Sequence, residues 1–119
     1  MLTTELSGNM MQRPLQIIDI LRYAATRYPH QEIVTRRLEG DRHRYDYQAC
    51  YQRTCQLAHG LNQLGIQPGE RVASLAWNTY RHMELYYAVS GIGAVMHTVN
   101  PRLFEEQIAW ILNHAESTW

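Results

Sequence analysis

Two short loops, each directly after a predicted strand (71–76 and 94–99), indicate where a ligand could bind. Trp77 and Asn78 come directly after the first strand, and Asn100 and Pro101 come directly after the second. Open α/β sheets bind ligands at the edge where the carboxyl ends of parallel strands meet, so both loops are expected at that edge. His97 lies near the end of the second strand. Loop, capping and structural hydrogen-bonding roles would also explain these residues, and both interpretations stay open.

Phosphate and metal chemistry have little support elsewhere in the chain. Gly91-Ile92-Gly93 follows a predicted helix and precedes a strand, whereas a phosphate-binding turn follows a strand and opens a helix. All 11 basic residues are arginine, so no lysine ammonium can contact a phosphate. The 6 histidines have no partners at metal-ligand spacing. Adjacent Glu105 and Glu106 favour a helix start rather than an acid–base pair.

Charge and cysteine usage exclude several broad classes. The formal net charge is zero, with 11 acidic and 11 basic residues, so nucleic acid is not expected as a partner. Cys50 and Cys55 fall on different faces of a predicted helix, so we expect them to be reduced core residues. We also expect no signal peptide and no transmembrane segment. These features together favour a cytoplasmic location.

Hydrophobic periodicity predicts alternating helices and strands. An opening helix ends before Pro29, and the charged segment after it alternates like a β-hairpin around the Gly40-Asp41 turn. Asp46 is expected to cap the next helix, and Gly65 to end it. The helices are predicted at 14–28, 46–64, 80–90 and 104–114, and the strands at 32–38, 43–47, 71–76 and 94–99.

The order of the later elements predicts the fold class. Residues 71–99 have the length of a parallel β-α-β crossover, and a further helix follows. The chain is therefore predicted to be α/β, with a β-hairpin and a parallel β-α-β-α unit. We expect a flexible segment at 1–13. The β-α-β-α pattern calls for another strand after the last helix, so residues 14–119 are expected to be a partial, truncated domain. Such a domain should expose apolar side chains, for which Tyr86, Tyr87, Ile111 and Leu112 are the candidates.

A family resemblance rests on several motifs between Arg42 and Glu116. They are Arg42-His43-Arg44-Tyr45, Pro68-Gly69-Glu70-Arg71-Val72-Ala73, Ala76-Trp77-Asn78-Thr79-Tyr80, Gly91-Ile92-Gly93-Ala94-Val95, His97-Thr98-Val99-Asn100-Pro101-Arg102-Leu103-Phe104 and Asn113-His114-Ala115-Glu116. With these motifs the segment resembles the N-terminal region of adenylate-forming (AMP-forming) acyl-CoA synthetases, most closely the bacterial medium- and long-chain fatty-acid ligases. It departs from them at Glu105, where relatives often have proline, and at Ser117-Thr118-Trp119, where they often continue into a strand.

The resemblance implies a function for the intact family. Its members join a carboxylic acid to CoA through an acyl-adenylate, with ATP and Mg, and release AMP and diphosphate. They hold the ATP phosphates with a Ser/Thr/Gly-rich loop ending in lysine and use a second catalytic lysine, and no position here matches either. No catalytic residue or bound cofactor is therefore assigned. The resemblance implies His97 and Asn100 as candidate substrate-binding residues on the acyl or CoA side of an intact site.

Two functions follow from these observations. The first is a fragment of a fatty-acyl-CoA ligase that is inactive alone, whose small-molecule partners in the intact family are a fatty acid, ATP and CoA. The second is a stand-alone α/β binding or interaction module, with self-association through an exposed apolar surface. The absence of lysine argues against a small active enzyme.

Overall fold

The structure is a computed structural model that describes residues 8–119. In chain order its elements are α1 (Ile17–Arg27), β1 (Glu32–Arg36), β2 (Arg42–Asp46), α2 (Tyr47–Gln63), β3 (Arg71–Leu75), α3 (Tyr80–Gly91), β4 (Val95–Val99) and α4 (Glu105–His114). The predicted order and type of these elements are confirmed. The predicted flexible segment and the predicted lack of a signal peptide fall partly on residues 1–7, which lie outside the described residues. None of the described helices is long and apolar enough to cross a membrane.

The first helix is shorter than predicted. It begins at Ile17 rather than Pro14, because Gln16 at the N-cap has an extended backbone and its side chain makes no capping bond. Leu21 is buried and Ile18 is partly buried, so one face of the helix points inward. Leu15 and Tyr28, which lie just outside the two ends of α1, are exposed. Helix α1 packs on α2 and α3, so its buried face is limited to the turns that reach those helices.

The hairpin and the cap of α2 form as predicted. Strands β1 and β2 pair antiparallel, with Ile33 opposite Tyr45. The Asp46 carboxylate then accepts the backbone N–H of Ala49 at 2.8 Å and caps α2. The expectation that both cysteines are core residues is wrong for one of them, since Cys50 is buried and Cys55 is exposed. Residue 55 lies on the solvent side of α2, away from the buried stripe.

Strands β3 and β4 pair in parallel and carry the core on one face. Val72 lies opposite Met96, and both pack against α3 residues such as Ala88 and Val89. Gly93 lies between α3 and β4 with a φ of +81°, and a Cβ there would lie 3.4 Å from Pro68. The Gly91-Ile92-Gly93 sequence is therefore a helix stop with close packing, as the order of elements predicted.

The exposed apolar side chains of α3 and α4 differ in part from those expected. Tyr86 is exposed, but Tyr87, Ile111 and Leu112 are partly buried. Phe104 and Trp110 are 79% and 64% exposed instead. Phe104 occupies the N-cap of α4 rather than its packed face, and no residue of α4 is buried. Part of the exposed apolar surface therefore lies on the outer side of α4.

Candidate functional site

The two loops singled out from the sequence lie together at one edge of the β3–β4 sheet. They border a cleft of about 770 Å³ that is lined by Trp77 and Asn78 after β3, by Asn100 and Pro101 after β4, and by the first turns of α3. Parallel pairing of β3 with β4 brings both carboxyl ends to this edge. Because it unites the two predicted loops in one concave surface, this cleft is the candidate site for a small molecule.

A histidine that the sequence did not single out is fixed in this cleft. His82, from the first turns of α3, has Nδ1 3.3 Å from Asn78 Oδ1. Its Nε2 lies 2.9 Å from Ser74 Oγ on the buried face of β3. Oδ1 can only accept, so this contact is a hydrogen bond in the tautomer with the proton on Nδ1, and in that tautomer Nε2 accepts the Ser74 hydroxyl proton. Asn78 and His82 are four residues apart around the helix start, which is the only sequence signal for this contact.

Asn78 and Thr79 come directly before α3, where polar side chains often cap a helix. Thr79 occupies the N-cap position, but its side chain makes no capping hydrogen bond. The Asn78 amide contacts His82 instead. Asn78 therefore serves the cleft rather than the helix end.

The cleft is positively charged. The Arg102 guanidinium lies 5.1 Å from the centre of the Trp77 ring, a cation–π contact across the two loops. Among the described residues that line the cleft there is no aspartate or glutamate. Asn100 Oδ1 accepts the backbone N–H of Arg102 at 3.0 Å, which holds the loop in a turn and leaves the Asn100 amide NH₂ as its group for a ligand. This arrangement favours an anionic ligand.

His97 and Asn100 are not brought together. His97 is the third residue of the five-residue strand β4, not near its end as expected. Its Nδ1 lies 2.8 Å from Ser117 Oγ, and it is absent from the described residues that line the cleft. The cleft begins one residue beyond His97, since Thr98, Val99 and Asn100 line it in succession.

A second polar cluster lies where the hairpin meets α2 and α3. Glu84 is buried on α3 and pairs with Arg53 of α2 at 2.7 Å, which raises the pKa of that guanidinium. Burial raises the pKa of the Tyr45 hydroxyl and of the Cys50 thiol. This cluster has no opening comparable to the cleft, and its charges are paired within it. We therefore interpret it as a structural junction.

Metal chemistry has no candidate in residues 8–119, where no three His, Cys, Asp or Glu side chains are grouped as ligands. Arg102 is the only arginine or lysine among the described residues that line the cleft. A ligand at this edge would therefore be held by hydrogen bonds, by stacking on Trp77 and by one guanidinium.

Comparison with known proteins decides the family. A match to the AMP-binding enzyme family covers residues 21–119. The chain belongs to the AMP-binding enzyme family. Its relatives include the long-chain-fatty-acid–CoA ligase of Thermus thermophilus, which is 49% identical over 92% of this chain. The medium-chain-fatty-acid–CoA ligase of Ectopseudomonas oleovorans is 43% identical, also over 92% of this chain.

Solved structures of AMP-binding enzymes show the same fold. The fatty acyl CoA synthetase of Mycobacterium tuberculosis matches with a TM-score of 0.72 and 28% identity, over 86% of this chain and 20% of its own length. The chain likewise spans 20% of the length of the two ligases from Thermus and Ectopseudomonas. It therefore corresponds to about one fifth of an AMP-binding acyl-CoA ligase.

Proposed function

We propose that this chain is the part of a fatty-acyl-CoA ligase that supplies one wall of its substrate site. The full reaction converts a carboxylic acid, ATP and CoA into acyl-CoA, AMP and diphosphate. The observation that carries the proposal is the 49% identity to a long-chain-fatty-acid–CoA ligase across 92% of the chain. The proposed domain segment spans residues 14–119 and needs further polypeptide to complete the site.

We also propose that the 119 residues alone do not catalyse this reaction. Phosphoryl and adenylyl chemistry depends on fixed cations and backbone donors around the phosphates. The chain has no lysine, and the cleft offers a single guanidinium. Purified protein incubated with ATP, Mg, CoA and octanoate should form no AMP above the protein-free blank. Equal amounts of AMP and octanoyl-CoA would contradict this part of the proposal.

The cleft is proposed to contact the acyl or CoA side of the substrates through Asn100. Asn100 lines the same cleft as Arg102 and Trp77, and this combination of amide, guanidinium and aromatic ring suits a carboxylate or phosphate joined to a larger group. His97 is proposed to position the segment after α4 through Ser117 rather than to touch the ligand.

Calorimetric titration tests the role of Asn100 with CoA and octanoate as separate ligands. Asn100→Ala should lower the affinity for the ligand that Asn100 contacts by roughly 3–10-fold, the effect of losing one hydrogen bond. Asn62→Ala, an exposed site near the end of α2, is the matched control and should leave affinity unchanged. A lower affinity for CoA would place Asn100 on the CoA side of the site, and a lower affinity for octanoate would place it on the acyl side. Equal weakening by both variants, or no binding of either ligand, would contradict the assignment.

A second candidate is a non-catalytic interaction module. The exposed Phe104 and Trp110 side chains on α4 favour it, because apolar patches of this kind often mark contact surfaces. Self-association through this surface predicts a sedimentation coefficient that rises with protein concentration and returns to the monomer value in Trp110→Glu. A concentration-independent monomer would remove this candidate.

A cytoplasmic location is also proposed. It rests on the two free cysteines, Cys50 and Cys55, which suit a reducing compartment. Recovery of the protein with the cytoplasmic fraction of lysed cells is the expected result, and recovery with a secreted or membrane fraction would contradict it.

A further inference from the structure

A chain of hydrogen-bonded side chains leads from the buried face of β3 to the cleft. Ser74 Oγ lies 2.9 Å from His82 Nε2, and His82 Nδ1 lies 3.3 Å from Asn78 Oδ1. Ser74 is 6% exposed, His82 is partly buried and Asn78 is exposed. His82 and Asn78 line the cleft, and Ser74 is not among the described residues that do so. A buried hydroxyl is therefore connected to a side chain that a ligand can reach.

Two arrangements of protons satisfy the His82 ring. In the first, Nδ1–H donates to the Asn78 oxygen, and Nε2 accepts the Ser74 hydroxyl proton. In the second, the Asn78 amide is flipped so that its NH₂ donates to Nδ1, and Nε2–H donates to the Ser74 oxygen. The amide oxygen and nitrogen exchange places between the two arrangements. The first arrangement therefore leaves the Asn78 NH₂ for a ligand, and the second leaves the amide oxygen.

The burial of Ser74 selects the first arrangement. Within residues 8–119 the Ser74 hydroxyl has a single hydrogen-bond partner, His82 Nε2. In the second arrangement that nitrogen is a donor, so the buried hydroxyl proton would have no acceptor. An unsatisfied buried donor is costly, whereas the exposed Asn78 amide can hydrogen-bond to water in either orientation. Ser74 therefore sets the His82 tautomer, and the tautomer sets the orientation of the Asn78 amide.

The loop after β4 orients a second amide in the same way. Asn100 Oδ1 accepts the backbone N–H of Arg102 at 3.0 Å, so the Asn100 NH₂ is likewise left for a ligand. Asn78, Asn100 and Arg102 all line the cleft, and the described residues lining it include no carboxylate that would compete for their protons. The cleft therefore presents two amide donors and one guanidinium. Such a set of donors matches the oxygens of a carboxylate or a phosphate.

We propose that Asn78 is a ligand-binding residue whose NH₂ donates to an anionic oxygen of the ligand. His82 and Ser74 are positioning residues that hold the Asn78 amide in this donor orientation. The role of Asn78 rests on the proposed function, since the same cleft receives the ligand. The His82 tautomer does not depend on that function, because it is a property of the chain without ligand.

Long-range proton–nitrogen NMR of the histidine rings tests the positioning on the complete 119-residue chain. Spectra are recorded at pH about 9, where a histidine side chain is neutral, and His82→Gln identifies the His82 signals. Wild type should show the proton on Nδ1, whereas free histidine in water favours the other tautomer. Ser74→Ala should therefore raise the population of the Nε2–H tautomer, and Ser74→Thr, which keeps the hydroxyl, should restore the wild-type pattern. An Nε2–H tautomer in wild type, or a pattern unchanged by Ser74→Ala, would overturn the positioning role.

Calorimetric titration with octanoate, a carboxylate, and with CoA, a phosphate ester, tests the contact itself. Asn78→Ala should lower the affinity for the bound ligand by roughly 3–10-fold, the effect of losing one hydrogen bond. Asn78→Asp keeps an acceptor for His82 but turns a negative oxygen toward the ligand, so its loss should exceed about tenfold. Its fold should survive, because a carboxylate before the first turn of α3 complements the helix dipole. Asn62→Asp adds the same charge at an exposed position of α2 and should leave affinity unchanged.

The outcomes separate the role of Asn78 from the proposed function. If neither ligand binds to wild type, the proposed substrate contact and the role of Asn78 both fail. If a ligand binds to Asn78→Asp as tightly as to Asn62→Asp, only the role of Asn78 fails. A selective loss of octanoate affinity in Asn78→Asp would place a carboxylate at Asn78, and a selective loss of CoA affinity would place a phosphate there.

Discussion

The Arg53 guanidinium donates two hydrogen bonds to the Glu84 carboxylate, from Nε to Oε1 at 2.7 Å and from Nη2 to Oε2 at 3.1 Å. The Glu84 side chain is 5% exposed, whereas the Arg53 side chain is 48% exposed, so the carboxylate is much the more buried partner. The pair joins α2 to α3, the two helices that cover the core face of the β3–β4 sheet. A charge is tolerated there because it is paired in a bidentate geometry.

Arg53→Ala should therefore be strongly destabilising. Removal of the partner leaves a buried carboxylate unpaired, which costs about 3–5 kcal/mol of unfolding free energy, and the half-exposed position of Arg53 places the effect at the lower end. Urea unfolding measures it. Arg44→Ala, which removes an exposed pair with Glu32, is the control and should stay close to wild type. Similar small losses in both variants would show that Glu84 is solvated without Arg53.

The alkaline stability of the protein should depend on Tyr45. Burial raises the pKa of its hydroxyl, so the folded chain keeps a proton that the unfolded chain releases. The stabilisation is complete below the ordinary tyrosine pKa of about 10 and is lost as the pH rises above it. Among the described residues the buried hydroxyl has no hydrogen-bond partner, so Tyr45→Phe should not reduce stability at pH about 7.

Thermal unfolding between neutral and alkaline pH measures the effect of Tyr45. The Phe variant should lose less stability above pH about 10 than wild type does. Tyr28→Phe, at an exposed ring, should follow the wild-type curve. Identical curves for all three proteins would mean that Tyr45 ionises equally easily in the folded and unfolded chains. Cys50 and Tyr87, whose pKa values are also raised, contribute to each of the curves.

Ser74→Ala should loosen His82. The substitution leaves Nε2 without the hydroxyl that donates to it, and loss of one buried hydrogen bond costs about 1–3 kcal/mol of unfolding free energy. Chemical unfolding gives the stability, and the His82 ring proton signals should broaden as the ring becomes mobile. Ser90→Ala is the matched control, because its hydroxyl bonds only the Tyr86 carbonyl within α3. A His82 spectrum unchanged by Ser74→Ala would contradict the proposed anchoring.

The fold was largely predictable because its signals are local. Asp46 caps α2 and Gly93 stops α3 through their own backbone and side-chain chemistry, which a sequence shows directly. The start of α1 was missed because Pro14 suits a first helical turn, but the turns near it have no helix to pack against. The exposure of Phe104 and Trp110 was missed because it depends on what packs against α4, which periodicity does not report.

The candidate site was predicted in position but not in detail. Parallel pairing of β3 and β4 places both loops at one edge, as a strand–helix–strand pattern implies. Of His97 and Asn100, which were predicted together as substrate-binding residues, Asn100 lines the cleft and His97 contacts Ser117. Neither the His82–Ser74 contact nor the Arg102–Trp77 contact has a spacing that marks it in the sequence.

Amide chemical-shift mapping with CoA and with octanoate tests the central claim most directly. If the chain supplies a wall of a ligase substrate site, one of these ligands should shift the amides of Trp77, Asn78, Asn100 and Arg102, and the shifts should saturate. The amides of α1 and of the hairpin should stay in place. Saturable shifts centred on α1, or no saturable shift with either ligand, would contradict the account.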